Sequence, residues 1–433
     1  MKARTWRWIG AAAVATAALA AIAVVALNIR GDAHSAAHDS SVALTPERVQ
    51  RGAYLARAGN CAACHTERGG AAYAGARAIA TPFGTVYSSN LTPDATDGIG
   101  TWSAGDFWRA LHNGRSRNGR LLVPAFPYPN YAQVTREDSD ALYAFLRTLP
   151  AVRQPNRRHE LRFPYDGQIA LAVWRALFFR PEVFEAQPGK TAEWNRGAYL
   201  VRGLGHCSAC HATRNALGAT QAADELGGGL LPLQNWYAPS LASASEAAVT
   251  GWSTEDVVAL LKTGVSRHGS VLGPMAEVVF RSTQHLDEAD LRAIAVYLKE
   301  LPQSSAAPAT GSLLRYPPDP PDSPDPAVMT RGAGLYTDRC ASCHGAQGQG
   351  AAGAYSPLAG NRKLTMRSPT NTVRVIADGG FPPTTQGNPR PFGMPPFGQS
   401  LSNAEIAQVA TFVRNAWGNH APPVSELDVI RAR

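Results

Sequence analysis

Cys61-Ala62-Ala63-Cys64-His65 returns as Cys207-Ser208-Ala209-Cys210-His211 and again as Cys340-Ala341-Ser342-Cys343-His344, and these pentapeptides use all six cysteines of the 433-residue chain. C-x-x-C-H is the attachment sequence of a c-type haem. Two thiols three residues apart add across the vinyl groups of one porphyrin, and the adjacent imidazole reaches the iron. Zinc would want a second C-x-x-C or a histidine pair at each site, and none is present. Disulfides would also consume six cysteines in an oxidising compartment, but would not require a histidine after each pair. The sequence therefore predicts three covalently bound haem c groups on Cys61, Cys64, Cys207, Cys210, Cys340 and Cys343, with His65, His211 and His344 as iron ligands.

The motifs divide the chain into three similar lengths, which is about three domains at ordinary domain size. The reading is an all-α chain of three tandem haem domains, at 46–186, 187–305 and 327–420, behind an amino-terminal segment at 1–32. Residues 306–326, centred on Pro317-Pro318-Asp319-Pro320-Pro321, read as a semi-rigid linker. The formal charge of +8 comes from scattered arginines with no aromatic platform between them. Solvated faces and arginines near haem propionates account for it, and no nucleic-acid partner is expected.

Lys2, Arg4 and Arg7 precede an apolar stretch from Trp8 to Leu27, long enough to cross a bilayer as a helix. The basic flank puts the amino terminus in the cytoplasm and the remainder outside it, where c-type haem is attached. The length fits an uncleaved anchor in the inner membrane with the haem domains in the periplasm. The alanine-rich composition also fits a cleaved signal. Residues 33–45 read as a polar linker.

Arg51-Gly52-Ala53-Tyr54-Leu55 recurs letter for letter as Arg196-Gly197-Ala198-Tyr199-Leu200, and Trp102-Ser103 to Gly114 aligns with Trp252-Ser253 to Gly264 without a gap. The first two domains are thus repeats. Pro46 to Gly59 reads as the helix that delivers Cys61. Ser103 caps a helix running to Asn113-Gly114. Another starts near Thr135, carries Leu142, Phe145 and Leu146, and stops at Pro150. Its counterpart carries Leu291, Ile294, Ala295 and Leu298. In the third domain Ser402 and Glu405 form a capping box before Ile406, Val409, Ala410 and Val413. The tail from His420 reads as polar, and Gly227-Gly228-Gly229 as flexible loop. Trp174, Phe178, Phe179 and Phe184 lie in a basic connector, as packing between domains or as a partner or membrane contact.

A six-coordinate haem needs a second axial ligand, usually Met or His. Gly273-Pro274-Met275 and Gly393-Met394-Pro395 place Met275 and Met394 as the axial sulfurs of the second and third haems, with Met366 a rival to Met394. No methionine lies between His65 and Cys207. The first domain reads Pro124-Ala125-Phe126 where the second has Gly273-Pro274-Met275, and Phe cannot ligate iron. His112 is the nearest substitute by type, but it aligns with Lys262 and reads as a surface residue. The first iron is then five-coordinate or unusually ligated.

Longer stretches carry a family resemblance: Gly84-Thr85-Val86-Tyr87-Ser88-Ser89-Asn90-Leu91-Thr92-Pro93-Asp94, Gly98-Ile99-Gly100-Thr101-Trp102, Trp236-Tyr237-Ala238-Pro239, Gly273-Pro274-Met275-Ala276-Glu277-Val278-Val279, Ser282-Thr283-Gln284 and Asn415-Ala416-Trp417-Gly418-Asn419. With three class I cytochrome c domains in tandem, the chain resembles the triheme cytochrome c subunits of membrane-bound bacterial alcohol, gluconate and sugar dehydrogenases. The resemblance implies a non-catalytic electron-transfer subunit of a complex acting on CH-OH donors. A dehydrogenase catalytic subunit would be its donor, and ubiquinone or a terminal oxidase its acceptor. Phe126 departs from relatives that carry Met there. Pro-Ala-Phe-Pro-Tyr is also similar to cytochrome subunits of molybdenum hydroxylases, which leaves the partner open. A stand-alone haem peroxidase using an open first iron is the other reading; no acid and base for it are evident.

Overall fold

The computed structural model describes residues 2–29, 42–220, 225–302 and 323–433. Most of the expected linkers at 33–45 and 306–326 lies outside the described residues.

The chain gathers into two compact units, Met1–Ala56 with Cys61–Glu185, and Arg57–Asn60 with Ala186–Arg433. In the first, helices α1 (Lys2–Asn28), α2 (Pro46–Ala58), α3 (Ala104–Asn113), α4 (Arg136–Arg147) and α5 (Gln168–Phe178) follow in order. The second holds α6 (Ala192–Tyr199), α7 (Thr254–Thr263), α8 (Pro274–Arg281), α9 (Glu288–Lys299), α10 (Pro326–Arg339), α11 (Thr370–Asp378), α12 (Asn403–Asn415) and α13 (Glu426–Ala432).

Helix ends follow their capping residues. The Ser103 hydroxyl accepts from the Asp106 amide while Asp106 accepts from the Ser103 amide, and Gly114 closes α3 in the left-handed conformation. Thr135, Ser253 and Asp287 cap α4, α7 and α9 by accepting from the amides of Asp138, Asp256 and Asp290. The capping box of Ser402 and Glu405 opens α12.

The architecture is not all-α. Three small antiparallel sheets are present among the described residues. β1 (Ala78–Thr81), β2 (Gly84–Tyr87) and β3 (Glu160–Leu161) form one, with Ile79 opposite Val86 and Thr85 opposite Glu160. β4 (Gly229–Leu231) pairs with β5 (Trp236–Ala238), and β6 (Val265–Ser266) with β7 (Gly269–Ser270). β-branched residues such as Ile79, Thr81, Thr85 and Val86 suit a pleated ribbon, and the pairing satisfies backbone groups that a bare loop would leave bare. Gly229, expected in a flexible loop, opens β4.

The second unit takes in two motif-bearing halves because they bond to each other. The Asn371 side chain donates to the Tyr237 carbonyl at 2.7 Å and accepts from its amide at 2.9 Å. Arg362 donates to the carbonyls of Ala244 and Ala248. The polar-looking tail also packs inward: Val424, Val429 and Ala432 join the core of Tyr336, Val373, Ile406, Val409, Ala410 and Val413. Ser425 caps α13.

Each motif sits beside a close helix crossing. A Cβ added to Gly52 would lie 1.9 Å from the Ala141 carbonyl oxygen, and one on Gly197 1.9 Å from that of Ala293. At Gly332 the distance to the Gln408 oxygen would be 2.5 Å. The Arg-Gly pair upstream of each motif therefore lets α2, α6 and α10 press backbone-close onto α4, α9 and α12.

Candidate haem attachment sites

In each pentapeptide the histidine amide bonds the carbonyl of the first cysteine: His65 to Cys61 at 3.0 Å, His211 to Cys207 at 2.9 Å, His344 to Cys340 at 3.0 Å. These are helical i to i+4 bonds, so positions i, i+3 and i+4 share one face and two thiols and one imidazole are presented together. Before the second motif the helix widens at Leu200–Leu204, where the Gly205 amide reaches the Leu200 carbonyl at 2.7 Å. Such π-turns favour functional sites.

The three imidazoles are fixed alike. Nδ1 faces a backbone carbonyl at 2.7 Å from Ser89 for His65, 2.7 Å from Pro239 for His211 and 3.1 Å from Ser356 for His344. A carbonyl only accepts, so Nδ1 carries the proton and the lone pair of the neutral ring falls on Nε2. Burial pulls all three imidazoles below the ordinary histidine value, while the carbonyl bond opposes that in part. The neutral form, the one that ligates iron, is thereby favoured.

The cysteines are not joined as disulfides. Burial, with the second thiol of each pair, pushes Cys61 and Cys207 up to about 12 and Cys340 up to about 11, so they are thiols and not thiolates. Among the described residues no group of three or more His, Cys, Asp and Glu converges to hold a metal ion. Zinc has no ligand set here; the residues fit a haem fixed through thioethers. Arginines support two of the motif turns, Arg77 donating to the Ala63 carbonyl and Arg214 to that of Ala209, at the same place within each C-x-x-C. Neither arginine nor Ser356 stood out in the sequence; Ser89 and Pro239 lie in stretches that carry the family resemblance, but their role as carbonyl partners was not evident.

Met394 and Cys340 pack against one core. The Met394 backbone pairs with Gly380 in both directions, at 2.8 and 2.9 Å, which fixes the loop that presents it. Its rival Met366 is 3 % exposed, and its carbonyl is held by Arg414. Met275 is half-buried in the first turn of α8, whose preceding residue, Gly273, lies against the Trp236 ring. Phe126 occupies the matching place. Both follow an antiparallel turn, Arg115 opposite Leu121 in one repeat and β6–β7 in the other, just beyond the left-handed caps Gly114 and Gly264.

The Phe126 ring lies 5.4 Å from that of Tyr131. Burial, then the Cys61 and Cys64 thiols, raise the Tyr131 phenol well above its usual value, which puts Tyr131 and Phe126 at the first motif. His112, expected at the surface, is buried. It stacks on Trp108 at 4.5 Å and meets the Ala132 carbonyl through Nδ1 at 2.7 Å. Lys262 at the aligned position likewise donates to a carbonyl, that of Leu286, so both tie a helix end to the following loop.

Comparison with known proteins agrees with this geometry. The chain matches the cytochrome c family over residues 49–150 and 329–417. It is 41 % identical over 411 residues to the cytochrome c subunit of a quinone alcohol dehydrogenase from Gluconacetobacter polyoxogenes, covering 91 % of this chain and 86 % of that one. It is 38 % identical to the gluconate 2-dehydrogenase cytochrome c subunit of Pantoea cypripedii, covering 89 % of each. It is 39 % identical to a nicotinate dehydrogenase subunit of Pseudomonas putida over 86 % of this chain, but only 31 % of that longer protein. Covalent haem c is what such cytochrome c domains carry, and the chain belongs to the family of cytochrome c subunits of bacterial alcohol and gluconate dehydrogenases.

Proposed function

We propose that this protein is a triheme electron-transfer subunit that accepts electrons from a dehydrogenase and passes them to ubiquinone or a terminal oxidase. The observation that carries it is the threefold arrangement of two thiols and an imidazole with Nδ1 tied to a carbonyl. Haem iron supplies reversible one-electron chemistry when bound. Cys61 and Cys64, Cys207 and Cys210, and Cys340 and Cys343 anchor the three groups. His65, His211 and His344, each with Nδ1 held by the carbonyl of Ser89, Pro239 or Ser356, would offer Nε2 to the iron from a fixed ring, so little protein would rearrange when charge changes. Met275 and Met394 would serve as sixth ligands at the second and third sites, where thioether sulfur would raise the potential, whereas Phe126 has no lone pair to offer at the first.

The donor proposed is the catalytic subunit of a dehydrogenase acting on a CH-OH substrate, because the relatives matched over most of their own length are subunits of alcohol and gluconate dehydrogenases. The test has two steps. The intact mass of the purified protein is expected to exceed the polypeptide by three porphyrins. A complex isolated from native membranes is expected to show reduced haem bands when an alcohol or sugar acid is added. Fewer porphyrins, or reduction only by an N-heteroaromatic substrate, would overturn the reading.

A further inference from the structure

Residues Trp6–Asn28 of α1 are long and apolar enough to cross a membrane. Ile9, Val14, Leu19, Ile22 and Val25 are each more than half exposed. The other end of the helix is built into the first unit. Asn28 is 6 % exposed; its Nδ2 donates to the Ala172 carbonyl at 2.9 Å, its Oδ1 accepts from Arg175 Nε at 2.9 Å, and its own carbonyl accepts from Arg115 at 2.8 Å. With α1 docked, Arg175 is 4 % exposed. Its guanidinium also meets the Asn113 carbonyl and lies over the rings of Tyr128 and Phe179. The last turn of α1 thus closes over the Arg175 guanidinium and supplies one of its acceptors. A leader removed on export contributes no side chain to the mature fold.

Helix α5, which Asn28 grips, has two faces. Leu171, Arg175 and Ala176 are buried. Ile169, Val173 and Leu177, at i, i+4 and i+8, form an apolar stripe that is 84 %, 41 % and 58 % exposed, continued by Phe163 at 89 %. Of the four aromatics in this connector, Trp174 and Phe179 pack inward on Tyr128, which accounts for part of its apolar content but not for the stripe. On α1, Val24 and Leu27 are half-buried beside Asn28. The contact thus lies within the last turn of the membrane-length helix, about 6 Å along its axis. Whatever depth α1 ends at, α5 is there too. Exposed Arg162 and Arg180 bracket the stripe, although Asp166 and Glu182 are exposed as well. Trp6 and Trp8 stand exposed at the far end of α1, as interfacial aromatics do.

We propose that α1 is a retained membrane anchor and that the Ile169–Val173–Leu177 stripe of α5 lies in the lipid interface beside it. The first unit is then held against the bilayer by two elements, one spanning and one lying flat.

The test uses the full-length haem-loaded protein in phosphatidylethanolamine–phosphatidylglycerol vesicles, without any dehydrogenase subunit. Single cysteines at Ile169→Cys, Val173→Cys and Leu177→Cys are compared with Asp166→Cys and Glu182→Cys for alkylation by a charged maleimide; the native cysteines are occupied by thioethers. The stripe positions are expected to react at least tenfold more slowly than the two flanking controls, and the intact mass to include Asn28. Equal rates, protection that appears only when a dehydrogenase subunit is added, or a mature chain beginning after Asn28 would overturn the proposal. Haem content is read on the same samples, so failure here is separable from failure of the electron-transfer reading.

Discussion

Arg196 grips the carboxylate of Asp290 with two parallel hydrogen bonds, Nε to one oxygen and an Nη to the other, each 2.7 Å. Asp290 is the third residue of α9 and is 6 % exposed; its amide is capped by Asp287. Arg51 pairs likewise with Asp138, the third residue of α4, its Nε and an Nη both meeting Oδ1. The third repeat replaces this device: Glu405 turns back to cap Ser402, and Arg331 is exposed. Bidentate pairs with one partner buried are worth more than surface ion pairs. Arg196→Met is expected to cost about 2 kcal/mol, and Arg331→Met almost nothing, measured as midpoints of urea unfolding by circular dichroism.

The glycine beside that arginine has no tolerance for a methyl group. The Ala293 carbonyl oxygen would be 1.9 Å from a new Cβ on Gly197, and Tyr297 Cβ only 2.8 Å away. Both neighbours belong to α9, so α6 must move away for Ala to fit. Gly197→Ala is expected to destabilise by about 3 kcal/mol or more. Gly334→Ala, with open space around it, is expected to be neutral or slightly stabilising through helix propensity. Thermal unfolding of the two variants separates these outcomes.

Helices were legible because their signals are local. Ser103 and Ser402 sit where caps were expected, the helix expected to start near Thr135 does so, and each motif follows its delivering helix. The sheets were not, because strands of two to four residues such as Glu160–Leu161 and Gly229–Leu231 carry no alternation long enough to read. The joining of the second and third motif regions into one compact unit was not legible, because its bonds, Asn371 with Tyr237 above all, link residues far apart in sequence. At the sites, the cysteines and histidines announced themselves by type. Their carbonyl partners could not, since every residue has a carbonyl. His112 was misjudged because its aligned partner is a lysine, yet both serve the same loop-tying bond.

Lys363 gives a pH dependence with a definite sign. Its Nζ donates to the Ser270 carbonyl, and burial brings the ammonium down from 10.5 to about 8. The folded chain then binds fewer protons than the unfolded one between these values, so this lysine makes stability rise with pH across that window. Below about 8 both states are protonated and the cost of the buried charge is constant. The rise is expected to be on the order of 2 kcal/mol, allowing for the part of the side chain that solvent reaches. Lys363→Met is expected to abolish it, seen as the difference between variant and parent unfolding free energies measured from pH 7.5 to 10.5.

Phe126 sets the first site apart from the other two, and its exchange is the sharpest spectroscopic test. The ring stands where Met275 stands in the second repeat, and Tyr131, in contact with it, lies at the Cys61 and Cys64 thiols. Phe brings no lone pair, and His159 Nδ1 accepts from the Tyr87 amide. The reduced parent protein is therefore expected to bind carbon monoxide at one haem in three, with a high-spin ferric signal of matching intensity. Phe126→Met is expected to remove both features and raise the lowest of the three potentials, because thioether sulfur favours the reduced iron. Tyr131→Phe is expected to leave the parent spectrum unchanged, whereas an oxygen ligand from Tyr131 would make that variant lose a charge-transfer band. A parent protein that is wholly low-spin and inert to carbon monoxide would show that the first site finds its sixth ligand elsewhere in the chain.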